Sequence, residues 1–273
     1  LDACSEVQDL LRQDNKGYKV GKAIIPLVPG AVIFDLNINE KPHINIIGKR
    51  SPWRKLANKA YKTAKKKFLL GSFGAGCGAT TATIKGGQGS TSWSQTFSNG
   101  KEYTVGAIVI NNAVGNPLIN EGPHFLSAHL EYGDEFGGHG MSDTIYDNVL
   151  RAKRLPAQTN ITNKLNDISS NTIIGVVATD APLTRSNLKR LAIMAHDGIA
   201  RSLNPAHTPM DGDTIFSITT CQDIKEQVLD NLDILALGAK ASDCFARACN
   251  RAVFEAEEIG NSKPGWKKKF KSK

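Results

Sequence analysis

Residues 172–179, Thr-Ile-Ile-Gly-Val-Val-Ala-Thr, form an almost wholly apolar run that begins one peptide bond after a polar, aperiodic stretch, TNITNKLNDISSN at 159–171. A short continuous run rich in β-branched residues reads as a strand covered on both faces. Its first side chain, the Thr172 hydroxyl, is then held rigidly at a sheet edge. Two readings of the junction follow. Asn171 can be a turn residue before an ordinary strand start. Alternatively, Thr172 is a nucleophile awaiting release as a new N-terminus, because a threonine with a free α-amine carries nucleophile and base in one residue.

The pattern past Thr172 is regular: a helix from about Thr184 to Ser202, a strand over 213–220, and helices to about Ile259. In the first of these helices Leu188, Leu191, Ala195 and Ile199 make one core-facing stripe. The chain opens on a helix with Val7, Leu10 and Leu11 on one side, and AVIFDLNI (31–38) reads as a buried strand after Pro29-Gly30. SPWRKLANKAYKTAKKKF (51–68) reads as a helix, with Ser51 as its cap and Pro52 at its first position. A glycine-dense loop at 71–90 precedes a strand within YTVGAIVINNAVGN (103–116). Residues 119–171 lack sustained periodicity and read as a mobile linker, too long for an ordinary connection. Residues 1–273 are expected to form one α/β domain without internal repeats.

Charge and cysteine content narrow the partners. The net charge of +8 is concentrated in 49–67 and in KPGWKKKFKSK at 263–273. With Trp53 and Trp266 as stacking platforms these clusters could grip phosphates. Without a nucleic-acid motif they read instead as a solvated helix face and a basic tail, so no nucleic acid partner is expected. No stretch approaches the ~18 apolar residues of a membrane helix, and no membrane partner is expected. Five cysteines without a CxxC or a histidine at metal spacing indicate neither a disulfide framework nor a metal site. With no signal-peptide pattern at its start, the chain is expected in the reducing cytoplasm. GAGCGATTATIKGGQG lacks the Gly-Lys-Ser/Thr order of a phosphate loop, and no cofactor is expected.

Three further places could carry chemistry. In HTPMDGDTIF (207–216), Asp211 and Asp213 flank Gly212, and extended backbone would point both carboxylates to one side. Such a pair can orient a hydroxyl and an amine or share a proton; the plainer alternative is an Asp-Gly turn into an edge strand. Lys85 offers an ammonium that would lower the pKa of a nearby amine by like-charge repulsion, or is a solvated lysine. Asn112, just past a strand, offers an amide donor for an oxyanion, or is a turn residue.

AVIFDL, GAGCGATTATIKGG, TIIGVVATDAPLTRSNLKRLA and HTPMDGDTIF, in this order, resemble the β-aminopeptidase (L-aminopeptidase/D-esterase) family and its relatives the nylon-oligomer (6-aminohexanoate-oligomer) hydrolases. The likeness covers most of 1–118 and 171–255. It implies an αββα four-layer sandwich and a precursor that cuts itself between Asn171 and Thr172. The resulting chains, 1–171 and 172–273, would stay together. It further implies a homo-oligomer, tetrameric in relatives, acting on small amides or peptides with a free amino group. Within the resemblance Thr172 is the nucleophile, Lys85 and Asn112 tune the amine and bind the oxyanion, and Asp211 and Asp213 support the nucleophile. Two departures stand out. Phe34 replaces a tyrosine usual in the family, and the sequence starts where relatives have a further N-terminal portion, as if truncated. The related self-cleaving ornithine acetyltransferases imply an acyltransferase as a second reading, and an inactive basic scaffold is a third.

Overall fold

A computed structural model describes residues 1–35, 51–120, 122–144, 171–222, 229–260 and 262–270. The chain divides into two compact units, Leu1–Val32 with Pro42–Leu69 and Ile33–Lys41 with Leu70–Lys273.

In the first unit, helix α1 (Asp2–Gln13) is followed by a two-stranded antiparallel hairpin, β1 (Tyr18–Val20) and β2 (Ala23–Ile25), and by helix α2 (Trp53–Thr63). Opposite charge ties the two helices: Arg54 lies 2.9 Å from both Glu6 and Asp9, and Asn58 donates to Glu6 at 2.8 Å. Part of the basic cluster is therefore matched to acids of α1. Pro52 is the N-cap of α2, while the Ser51 hydroxyl accepts from the Trp53 N–H at 3.3 Å. The helix ends at Thr63, five residues short of the expected Phe68. Tyr61 already reaches Asp14, just past the end of α1, so later residues would find no α1 surface to pack on. Residues 31–35 form no strand, contrary to expectation, because no partner strand pairs with them among the described residues; 36–38 lie outside those residues.

The second unit is built on a four-stranded sheet ordered β3 (Gly87–Thr96), β4 (Glu102–Asn112), β5 (Thr172–Thr179) and β6 (Thr214–Thr219). β3, β4 and β5 are antiparallel neighbours; β5 and β6 are parallel, joined through helix α3 (Arg185–Ser202). Thr184 caps α3 by accepting from the Asn187 N–H at 3.3 Å, and Asp230 caps α4 (Asn231–Phe254) by accepting from the Asp233 N–H at 2.7 Å. Helices α3 and α4 cover one face of the sheet. There Val105, Val109, Ile173 and Val177 join Leu191, Ala195, Ile199, Leu237 and Phe245 in one buried core. The alternate residues Ile174, Val176 and Ala178 are only partly buried. The expectation that β5 is covered on both faces is thus corrected: among the described residues both long helices lie on the same side of the sheet.

The approach of α4 to the sheet depends on missing side chains. A Cβ at Gly89 would run into the Ala248 carbonyl of α4, and one at Gly175 into the Phe245 ring. A smaller cluster joins Ile84, Leu118, Phe125, Phe136, Val253 and Phe254 around Trp266, which opens helix α5 (Trp266–Phe270). Trp266 is wholly buried and donates from its indole to the Pro123 carbonyl at 3.1 Å, so it is no stacking platform. Of the segment read as a linker, residues 122–144 are tied to this region; Glu135 takes a two-pronged ion pair from Arg247 of α4, at 2.5 and 3.0 Å. Residues 145–170 lie outside those described.

Gly89→Ala is expected to force β3 and α4 apart and destabilise the protein by about 1–3 kcal/mol. Urea denaturation read by circular dichroism would show this as a lower midpoint.

Candidate active site

The antiparallel register sets Asn112, the last residue of β4, opposite Thr172, the first of β5. Both are buried, as is Asn171. Asn171 also pairs in parallel with Asp211 at the entry to β6, its N–H donating to the Met210 carbonyl at 3.2 Å. The peptide bond between Asn171 and Thr172 is therefore clamped between two strand ends. The Thr172 hydroxyl donates to the Asn171 carbonyl, and the Gly212 N–H donates to the same oxygen at 3.0 Å. This is the second ladder bond of the parallel Asn171–Asp211 bridge, and it fixes the direction of the Asn171 carbonyl. A Cβ at Gly212 would sit 3.1 Å from Thr172 Oγ1, so glycine leaves the hydroxyl its space.

The two aspartates do not share one task. Asp211 Oδ1 accepts from the Val114 N–H at 3.2 Å, and its Oδ2 accepts from the Thr208 N–H and hydroxyl at 3.1 and 2.6 Å. Its carboxylate thus ties the loop after β4 to the loop before β6. Asp213 instead accepts from the Ile173 N–H at 3.0 Å, one residue past Thr172, and meets His207 Nδ1 at 2.7 Å. Burial pushes the Asp213 carboxyl up. The Ile173 N–H opposes this, Asp211 adds to it, and His207 opposes it.

Asn112 makes two of its possible bonds within the protein: its Oδ1 accepts from the Thr80 N–H at 3.0 Å and one N–H of its Nδ2 donates to the Phe34 carbonyl at 3.2 Å. Here its amide fastens the glycine-rich loop to the sheet, while Gly212 is the donor aimed at the Asn171 carbonyl. Lys85 lies in that loop, fully buried, its ammonium donating to the carbonyls of Ala79 (2.6 Å), Gly86 (3.1 Å) and Gly76 (3.4 Å). No hydrogen bond among the described residues links it to Thr172. Burial lowers its pKa from 10.5 to about 8, against the opposing influence of Cys77 and Asp35. Asp35 is itself pushed up by burial, against the pull of the Gly78 N–H and Lys85. Lys263 donates to the Thr81 and Ala82 carbonyls of the same loop, and burial lowers its pKa to about 8 as well. Sequence reasoning missed Gly212, His207, Asp35 and Lys263. The first two stand inside the HTPMDGDTIF motif, but nothing in residue type announced where they point.

Solved structures share this architecture. The β-aminopeptidase of Burkholderia sp. superposes with a TM-score of 0.62 at 18% identity, over 97% of this chain and 67% of its own. The L-aminopeptidase D-Ala-esterase/amidase of Ochrobactrum anthropi, described as a variant of the Ntn hydrolase fold, gives 0.52 at 23% identity, over 80% of this chain and 53% of its own. The fold is that of the Ntn-hydrolase aminopeptidases. In sequence, an uncharacterized aminopeptidase of Mycobacterium bovis is 31% identical over 272 residues, covering 95% of this chain and 72% of the relative. A 6-aminohexanoate-oligomer endohydrolase of Kocuria sp. (strain KY2) is 26% identical over 212 residues, 74% of this chain and 52% of that protein. Residues 2–264 match Peptidase family S58, and the chain belongs to that family.

The two buried lysines make stability depend on pH. With folded pKa values near 8 against an ordinary 10.5, each binds fewer protons folded than unfolded between those limits. Their cost to stability is fully present below pH 8 and is relieved as pH rises towards 10.5, by up to about 1.4 kcal/mol per pH unit for each lysine. Urea midpoints measured across this window are expected to climb more steeply for the wild type than for Lys85→Met or Lys263→Met.

Proposed function

We propose that this chain is a self-cleaving N-terminal-threonine amidohydrolase that cuts the Asn171-Thr172 bond and then hydrolyses small amides or peptides bearing a free amino group. The observation that carries the reading is the geometry at that bond: the Thr172 hydroxyl and the Gly212 N–H both converge on the Asn171 carbonyl oxygen. In the first step Thr172 Oγ1 bonds to the Asn171 carbonyl carbon, and charge develops on the oxygen that Gly212 already holds. The C–N bond then breaks, the Thr172 nitrogen takes up the proton given up by Oγ1, and an ester joins the two segments. Water hydrolyses the ester, leaving a carboxylate on Asn171 and a free amine and hydroxyl on Thr172. That amine serves as the base for attack on a substrate amide and as the acid towards its leaving nitrogen.

The surrounding groups suit this chemistry. Asp213 accepts from the Ile173 N–H one residue past Thr172, where its carboxylate can hold the amine once it is freed, and Lys85 lies in the loop that Asn112, opposite Thr172, fastens to the sheet. The relative named as an aminopeptidase supports amide hydrolysis beside a free amino group, and the one named as a 6-aminohexanoate-oligomer endohydrolase supports hydrolysis of amides between aminoacyl units. They make α-, β- and ω-aminoacyl anilides the substrates to try. Assembly as a homo-oligomer belongs to the same reading.

A denaturing gel with intact mass and N-terminal sequencing tests the proposal. Wild-type protein is expected as two fragments, one beginning at Thr172, and Thr172→Ala as one inactive chain; a single chain in both overturns it. Gly212→Ala, which crowds Oγ1 with a methyl group, is expected to slow fragment formation by about tenfold while the urea midpoint moves by less than ~1 kcal/mol in stability. A time course of precursor loss would measure this.

A further inference from the structure

Asp213 lies between the start of β5 and an imidazole that reaches solvent. Its side chain is 5% exposed and that of His207 is 42% exposed. When Asp213 is ionised its carboxylate only accepts, and in this 2.7 Å contact His207 Nδ1 is then the donor. The backbone around it is organised for the purpose. His207 sits at φ 52, the left-handed region that costs a non-glycine residue about 1–2 kcal/mol. The next residue, Thr208, gives both its N–H and its hydroxyl to Asp211. Consecutive residues of one loop thus address the two aspartates separately, His207 holding Asp213 and Thr208 holding Asp211.

We propose that His207 is a positioning residue that keeps Asp213 ionised and aimed at the start of β5, and so sets the acid limit of self-cleavage and turnover. The kinetic half of this rests on the function proposed above; the coupling of His207 to Asp213 does not. The other titratable groups around the pair come from three elements. His196 of α3 lies tilted against His207, ring centroids 5.3 Å apart; burial lowers its pKa, His207 lowers it further, and Asp213 and Asp197 oppose. From α4 the buried Cys249 thiol, pushed up to about 12 chiefly by burial, also feels Asp213. Asp211, at the entry to β6, repels Asp213. The Ile173 N–H and His207 are thus the two groups that favour the Asp213 anion against burial and like charge, and only His207 can be removed without touching the backbone.

The test is a carboxylate NMR titration of Asp213 in the uncleaved Thr172→Ala protein, alone and combined with His207→Ala or His207→Gln. Loss of the imidazole is expected to raise the Asp213 midpoint by about one pH unit. Glutamine, which retains an N–H donor, is expected to restore most of that shift. An unchanged Val114 amide resonance, reporting the bond to Asp211, shows the loop still folded. In the cleaving protein the acid limb of the pH–rate profile should move by the same amount in His207→Ala, with the alkaline limb in place. An Asp213 midpoint unmoved by His207→Ala overturns the proposal, as does a shift that glutamine leaves uncorrected. Should the midpoint move while the parent protein never yields a Thr172 fragment, the His207–Asp213 coupling stands and the self-cleavage reading falls.

Discussion

The site depends on the register between β4 and β5. That pairing sets Asn112 against Thr172 and Ile110 against Ile174, and a slip of one residue would turn every side chain of β5 to the opposite face. The register is held by burial: Val105 and Val109 of β4 and Ile173 and Val177 of β5 all face α3 and α4. Asn111 adds a polar pin, donating to the Cys249 carbonyl of α4 at 3.1 Å. The same alternation that buries Ile173 sends Thr172 to the other face at the strand's first position, where the loop before β6 meets it. Core packing and the placement of the Thr172 hydroxyl are therefore one constraint.

Around that strand end the protein uses backbone dipoles where side-chain pairs would be costly to bury. The Lys85 ammonium is held by three carbonyls and Lys263 by two, while Asp211 and Asp213 each accept from backbone N–H groups. Charges retained in this way keep perturbed affinities for protons, lowered in the lysines and raised in Asp213 and Asp35. Such clusters are common where proton transfer occurs. The middle of the glycine-rich loop is pinned twice, by Asn112 on Thr80 and by the Pro264 carbonyl on the Lys85 N–H, so the lysine is set by tertiary contacts from two distant parts of the chain.

Several elements could be read directly. β4, β5, α3 and the body of α4 carry strong apolar periodicity, and the bounds of β5 agree residue for residue. β3 was hidden because Gln-Gly-Ser-Thr-Ser has little intrinsic strand preference; pairing with β4 and the close approach of α4 over Gly89 make it a strand. Residues 31–35 err the other way: their apolar, β-branched composition is strand-like, yet the Phe34 carbonyl is taken by the Asn112 side chain and no ladder forms among the described residues. Trp266 looked exposed because it stands among lysines, but its ring fills a gap that Phe125, Phe136 and Phe254 leave.

What the sequence determined by itself is the junction at Asn171-Thr172, the aspartate pair at Asp211 and Asp213, and the strand–helix–strand frame that brings them near each other. Those are local properties: a switch from polar to apolar, a side-chain period, a turn-forming glycine. The direction of each hydrogen bond was decided only in three dimensions. Asp211 turns to Val114 and Thr208, Asp213 to Ile173 and His207, the Asn112 amide to Phe34 and Thr80, and the Gly212 N–H to the Asn171 carbonyl. Each partner comes from a distant or irregular segment, and a side chain with several possible acceptors or donors chooses among them by which backbone the packed core brings within reach.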